Sequence, residues 1–251
     1  MISAKQAVLS QQLRVDTIAN NVANVSTTGF KSTRVDFKDT LYTAMAQPTK
    51  ATGGAGLGRG TGVMVAATTL SFEQGIATQT GSILDFCISG DGFFTLKNSQ
   101  GDEVYTRNGA FAVSVESGNR YLVNADGNYV LDKQGNKIKL PEGKLDDMSI
   151  NEKGELFLGS DNAFATLKLS TFSNPEGLQA VGSSSFMATD ASGKAAEAKD
   201  ATVTQGFLES SNVDLTLEMT RLIQAQRALS LAGKALTTAD EMDALANNLR
   251  R

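Results

Sequence analysis

Both ends of this 251-residue chain carry a seven-residue apolar repeat, while the long stretch between them alternates every second residue. Residues 4–25 contain no Gly and no Pro. Val8, Val15 and Val22 recur at heptad spacing, and Ile18 and Val25 follow the last two at the d position. This is the seam of a packed helix, with Ala4 and Gln11 as its weak members and Leu9 and Leu13 widening the apolar face. Ser26-Thr27-Thr28-Gly29 ends it, Gly29 being suited to a positive φ. Residues 213–249 carry a stronger seam, in which Leu222, Ala225, Leu229, Ala232, Leu236 and Ala239 alternate three- and four-residue steps. Past Ala239 the seam changes phase and continues through Met242, Leu245 and Leu249. Asn212 or Ser211 is placed to cap this helix, and Glu218 lies in its early turns. A stripe so narrow needs a partner helix, and its small alanines allow close approach. The expected fold is therefore α+β. N- and C-terminal helices form a coiled coil, and an antiparallel β-rich domain is inserted between them.

The inserted stretch divides further. The tract 49–62 is Gly-rich and reads as a linker in an isolated chain. A phosphate-cradling loop is disfavoured, because no Gly-Lys-Ser/Thr ending follows a strand. From about residue 63 to 206 the period is two. Leu84–Ile88, Phe93–Leu96, Tyr121–Val123 and Tyr129–Leu131 read as strands, separated by turns at Gly101, Gly127, Gly135 and Gly154. The Phe93-Phe94 pair is expected to send one ring to the core and one to the opposite face. The tract 187–204 reads as a loop. The resulting divisions are 1–29 (N-terminal helix), 30–70 (extended Gly-rich connection), 71–206 (outer β-rich domain) and 207–251 (C-terminal helix).

Composition excludes much chemistry. The chain has no His and a single Cys, so histidine-based triads, histidine metal ligands, intrachain disulfides and cysteine-cluster metal sites are absent. Cys87 reads as a small buried hydrophobe, since no base is at hand to activate it. Asp residues such as Asp85, Asp91, Asp126 and Asp132 stand in or beside Gly turns, where Asp is favoured by its own backbone hydrogen bonds. No catalytic, cofactor-binding or metal-ligating residue is assigned. The net charge of −4, with no block of Lys or Arg, argues against nucleic acid and anionic membrane as partners. No apolar run approaches the roughly 20 residues of a membrane span. The start lacks the pattern of a cleaved signal peptide, which implies the cytosol or export by a route that reads no such signal. Asn20, Asn21 and Asn24 weaken helix propensity and bring amides to a face that must meet polar groups, which favours contact with neighbouring subunits.

Four stretches, in order, resemble the bacterial flagellar rod and hook family. Asp16-Thr17-Ile18-Ala19-Asn20-Asn21-Val22-Ala23-Asn24-Val25-Ser26-Thr27-Thr28-Gly29-Phe30-Lys31 resembles its N-terminal signature. Gly90-Asp91-Gly92-Phe93-Phe94, with Tyr105-Thr106-Arg107-Asn108-Gly109-Ala110-Phe111, resembles its central β domain. Gln205 through Val213 resembles the approach to its C-terminal helix, and Glu218-Met219, Leu222-Ile223 and Gln226-Arg227-Ala228 continue as that helix does. Gly60-Thr61-Gly62-Val63, Gln74-Gly75, Gln79-Thr80-Gly81 and Leu84-Asp85 are most similar to the distal rod branch. The proximal rod branch is the alternative, and the longer hook proteins are less similar. The family's usual start carries a few more residues before the pair matching Gln11-Gln12, which bears on the outermost turn of the first helix.

The resemblance implies a structural subunit, with no enzyme activity and no cofactor. Such subunits leave the cell unfolded through the flagellar type III export apparatus. They then self-associate helically into a torque-transmitting rod of the basal body, spanning the periplasm of a Gram-negative cell. Their partners are further copies, adjacent rod and hook proteins, and the P and L ring proteins. In that arrangement the terminal helices form an inner coiled-coil tube, and the 30–70 segment packs between subunits. The expected interface residues are Val8, Val15, Ile18, Asn20, Asn21, Val22, Asn24, Val25, Leu222, Ala225, Leu229, Ala232, Leu236, Ala239, Met242 and Leu245. Two other classes stand against this reading: a soluble binding module with a ligand held by the β domain, and a carboxylate-dependent glycan hydrolase.

Overall fold

The structure, a computed structural model, describes residues 2–40, 42–44, 58–60, 62–116, 118–141, 147–159, 163–198 and 200–249. It is α+β and divides into two units, one of residues 1–23, 33–70 and 214–251, the other of residues 24–32 and 71–213.

The first unit holds both helices, α1 (Ile2–Ala23) and α2 (Leu215–Leu249). At 1.5 Å per residue α1 is about 33 Å long and α2 about 52 Å. The two helices pack on each other. Ile18 and Ala225 are the fully buried apolar residues of this unit among those described, at 6% and 1% exposure. The start of α2 differs from expectation. Asp214, not Asn212 or Ser211, accepts the orphan amides of Thr216 (2.9 Å) and Leu217 (3.2 Å) through Oδ1. The reason is positional, because only the residue directly before the first turn can reach those N–H groups.

Residues 30–70 also hold more than an extended connection. Thr33–Asp39 pairs antiparallel with Val63–Leu70, with a register shift between Asp36 and Phe37, and Tyr42–Ala44 pairs with Gly58–Gly60. β-Branched and apolar residues on both flanks, such as Val35, Phe37, Val63 and Val65, give the ribbon its strand preference. Most of the Gly-rich tract, 49–57 and 61, lies outside the described residues.

The second unit is built on a ten-stranded antiparallel sheet. Phe93–Lys97 is its centre, paired with Glu103–Thr106, Tyr129–Val130 and Leu169–Thr171. The expected turn glycines 101, 127, 135 and 154 all have positive φ, between 79° and 99°. Phe94, Leu96, Leu122 and Val130 point to one face, where they meet Phe86, Ile88, Ile138, Leu156 and Val203 in the main core. Phe93 points to the other face, and it is buried too, at 2% exposure. There it meets Phe72, Phe172 and Phe186 edge to face, at centroid distances of 5.3, 5.9 and 6.1 Å. The two rings take opposite faces, as strand alternation requires, and both are buried because the sheet is covered on both faces at this point. The tract 187–204, expected as loop, contributes Thr202–Gln205, which pairs with Phe86–Ser89 and buries Val203. Its polar, alanine-rich surroundings hide a short strand whose one buried residue is Val203, with Ala201 buried just before it.

Candidate functional site: an apolar helix face and two buried polar clusters

The helix seam expected from sequence is the more covered side of each helix. Val8, Val15 and Val22 on α1 are partly buried, as are Leu222, Leu229, Ala232, Leu236 and Ala239 on α2. Met242 and Leu245 lie apart from them, 66% and 63% exposed. The change of phase after Ala239 turns these two off the covered stripe. Val25 and Asn24 lie beyond the end of α1, in a turn where Asn24 Oδ1 accepts from Thr27 Oγ1 at 3.1 Å. Leu249, on the same shifted continuation as Met242 and Leu245, is 89% exposed, and further apolar side chains are exposed away from the seam: Leu9 and Leu13 on α1, and Leu215, Met219, Ile223 and Leu231 on α2.

Of the three asparagines expected to face neighbouring subunits, Asn20 is exposed and Asn24 is partly buried, whereas Asn21 is spent inside the chain. Asn21, 2% exposed, accepts from Thr33 N (3.0 Å) and donates to Thr33 O (2.9 Å). Its amide thus binds the first residue of the ribbon as a strand neighbour would. It also reaches Glu218 Oε2 at 3.4 Å, and Glu218 Oε1 accepts from Arg221 at 2.6 Å. One amide therefore ties together α1, the ribbon and α2. A buried amide with two-point backbone pairing is satisfied, which is why it need not meet a second subunit.

The second cluster lies wholly within the β-rich unit. Glu209 is 1% exposed, and three donors converge on its carboxylate: Lys31 Nζ at 2.6 Å, Gly75 N at 2.9 Å and Arg107 Nη1 at 3.3 Å. Its backbone carbonyl accepts from Gly29 N at 2.8 Å. Lys31 further donates to Glu73 O at 2.7 Å. Arg107 donates to Gly90 O at 2.8 Å, lies over the Phe93 ring, and has its buried Nε without a partner among the described residues. Burial pushes the Lys31 ammonium below the usual lysine value, with Glu209 opposing that shift. The same burial, reinforced by Glu209, pushes the thiol of the neighbouring Cys87 up, so it stays protonated and inert. Gly29 has a φ of 65°, and a Cβ there would collide with the backbone of Asn108. A few residues on, Asn212 accepts from Ser32 N and donates to Ser71 O, both at 2.8 Å.

Glu218 was expected only as an acid in the early turns of α2, and Lys31, Arg107 and Glu209 were not singled out within the stretches that contain them. The available signal is that each of these three is a charge inside a stretch otherwise made mostly of small polar and apolar residues. They belong to three of the four family-like stretches, which the fold brings to one point.

Elsewhere in this unit a cavity of about 760 Å³ is lined by acidic and basic side chains, among them Glu103, Lys133, Lys168 and Glu197. These are spent on one another, Lys168 binding Glu103 at 2.6 Å and Lys133 binding Glu197. Burial raises the Glu103 carboxyl, and the hydrogen bonds from Lys168 and Tyr105 outweigh it, holding the group below the ordinary carboxylate range. Among the described residues no group of His, Cys, Asp or Glu could hold a metal ion, and no helix is long and apolar enough to cross a membrane.

Three family models match the chain. "Flagella basal body rod protein" covers residues 3–31, "Flagellar hook protein FlgE/F/G D1 domain" covers 87–158, and "Flagellar basal body rod FlgEFG protein C-terminal" covers 204–249. The chain is 37% identical to the flagellar basal-body rod protein FlgG of Borreliella burgdorferi, over 99% of this chain and 97% of that protein. It belongs to the FlgG family of flagellar basal-body rod proteins. FlgG of Bacillus subtilis is 36% identical over 96% of this chain and 94% of its own length. FlgG of Agrobacterium fabrum is 35% identical over 93% and 92%. Lys31 lies inside the N-terminal family match, Arg107 inside the central one and Glu209 inside the C-terminal one. The cluster is therefore where the three family segments meet in space.

Proposed function

We propose that this protein is a structural subunit of the flagellar basal-body rod, of the distal FlgG type, and that it is not an enzyme. It polymerises helically with further copies into the torque-transmitting shaft. It meets adjacent rod and hook proteins end to end and the P and L rings from within, after export through the flagellar type III apparatus. The relatives' names support the rod, and the chain's own surface supports polymerisation. The observation that carries the reading is the far part of α2, where Leu231, Met242, Leu245 and Leu249 are 63% to 89% exposed. Apolar residues at this density on one helix need cover from another molecule. A face on one copy that meets a different face on the next generates an open helix when the rotation between copies does not close into a ring. The terminal helices supply the inner coiled-coil tube, with Val8, Val15, Leu222, Ala225, Leu229, Ala232, Leu236 and Ala239 along the seam within each subunit. Met242 and Leu245 face neighbouring copies.

Ala232→Leu tests the close-packed seam. The added volume is expected to block rod assembly through overpacking, giving non-motile cells and no rods by electron microscopy of basal bodies. Normal rods and normal swimming would overturn the reading of the seam.

A further inference from the structure

Glu209 is, among the described residues, the single acidic partner of two buried cations that lie far from it in the chain. Lys31 precedes it by 178 residues and Arg107 by 102. The two cations differ in one respect that matters. A buried lysine can give up its proton and become neutral, whereas arginine keeps its charge at any accessible pH. Arg107 is 2% exposed, with Phe93 against its guanidinium. Seating it before Glu209 is present places an uncompensated charge in a dry site, which is strongly unfavourable.

Arg107 cannot wait outside while the core forms around it. Tyr105 and Phe111 on either side are buried at 4% and 6%, and Phe111 meets Phe94 edge to face at 5.2 Å. Gly109 lies so close to the Phe86 carbonyl that a Cβ would overlap it. Closing the core around Phe86 and Phe94 therefore seats Arg107. The stretch that brings Glu209 also brings the missing strand Thr202–Gln205 alongside Phe86–Ser89, and Asn212 to the backbone of Ser32 and Ser71.

We infer that Glu209 is a closing latch: the β-rich unit completes its fold only when residues 202–213 arrive and neutralise Arg107 and Lys31. A chain whose last part has not yet emerged is held open by the charges it would have to bury. The latch follows from the cluster alone, and it stands or falls separately from the rod reading. A subunit that must be threaded unfolded has an obvious use for it.

Stopped-flow circular dichroism of the full chain, in refolding and in unfolding, tests the latch. Glu209→Gln keeps the shape of the side chain and removes its charge. Refolding is expected to slow by roughly tenfold or more while unfolding changes by less than about threefold, the signature of a contact formed in the transition state. The triple variant Lys31→Met, Arg107→Met, Glu209→Gln carries no charge to neutralise. It is expected to refold within about threefold of the unsubstituted protein, including where Glu209→Gln alone does not fold at all. If the effect of Glu209→Gln falls on unfolding alone, Glu209 is an ordinary stabilising contact and the latch is wrong. A triple variant that folds as slowly as Glu209→Gln, or not at all, overturns it equally.

Discussion

The two units of the chain bury their apolar residues to very different degrees. In the β-rich unit Phe86, Ile88, Phe94, Leu96, Leu122 and Leu156 are fully buried, and the large exposed hydrophobics are Ile76, Val115 and Val181. In the helical unit the order is reversed. Among its described residues Ile18 and Ala225 are the buried apolar ones, while Leu9, Leu13, Met219, Ile223, Leu231, Met242, Leu245 and Leu249 are among those left exposed. The contrast follows from geometry. A sheet covered on both faces encloses a core by itself. A pair of helices encloses one seam and leaves the rest of each cylinder in water. The first unit to be complete as a single molecule is thus the β-rich one, and the helical unit is the one whose stability depends on what it meets.

That contrast can be broken or sharpened by substitution. The largest effect is expected in the β-rich core. Phe94→Ala leaves a cavity beneath the main sheet and should destabilise this unit by about 3–5 kcal/mol. Urea unfolding of the isolated chain reads it, and a loss below about 1 kcal/mol would mean that the core is looser than its burial implies. Asn21→Ala comes next. It leaves the backbone of Thr33 without its partner and should cost the helical unit about 1–3 kcal/mol. Faster hydrogen exchange in α1 is the expected readout, and unchanged exchange would assign the junction to other contacts. Leu245→Ser should do least to the single chain, within about 0.5 kcal/mol, because the side chain is already in water. Its effect is expected in the polymer, as weaker self-association by sedimentation. Equal association with the unsubstituted chain would remove this end of α2 from the interface.

Much of the helical unit was legible in the sequence, because helix periodicity is a local code. The spacing from Leu222 to Ala239 falls on residues that are half-buried or buried, whereas Met242 and Leu245, read as a continuation of the same seam, are exposed. The turn glycines of the β-rich unit were equally plain, since a positive φ is a demand made residue by residue. The cap of α2 was missed by two residues, because Asn212, Ser211 and Asp214 are all competent caps and only the position of the first turn chooses among them. The strand at 202–205 was missed because its surroundings are polar and its inward residues small.

The sequence by itself determined the α+β plan, the two terminal helices and the absence of histidine and intrachain disulfide chemistry. Each of these depends on residue type and short spacing. The tertiary structure alone decided where the charges go. Lys31, Arg107 and Glu209 read as three unrelated charges in the chain, and folding makes them one buried group. Asn21 read as an amide for a neighbouring molecule, and folding gives it the backbone of Thr33. A buried charge or amide is placed by whichever partner the fold brings within about 3 Å. For these residues the partners lie 12 to 197 residues away, beyond the reach of any local pattern.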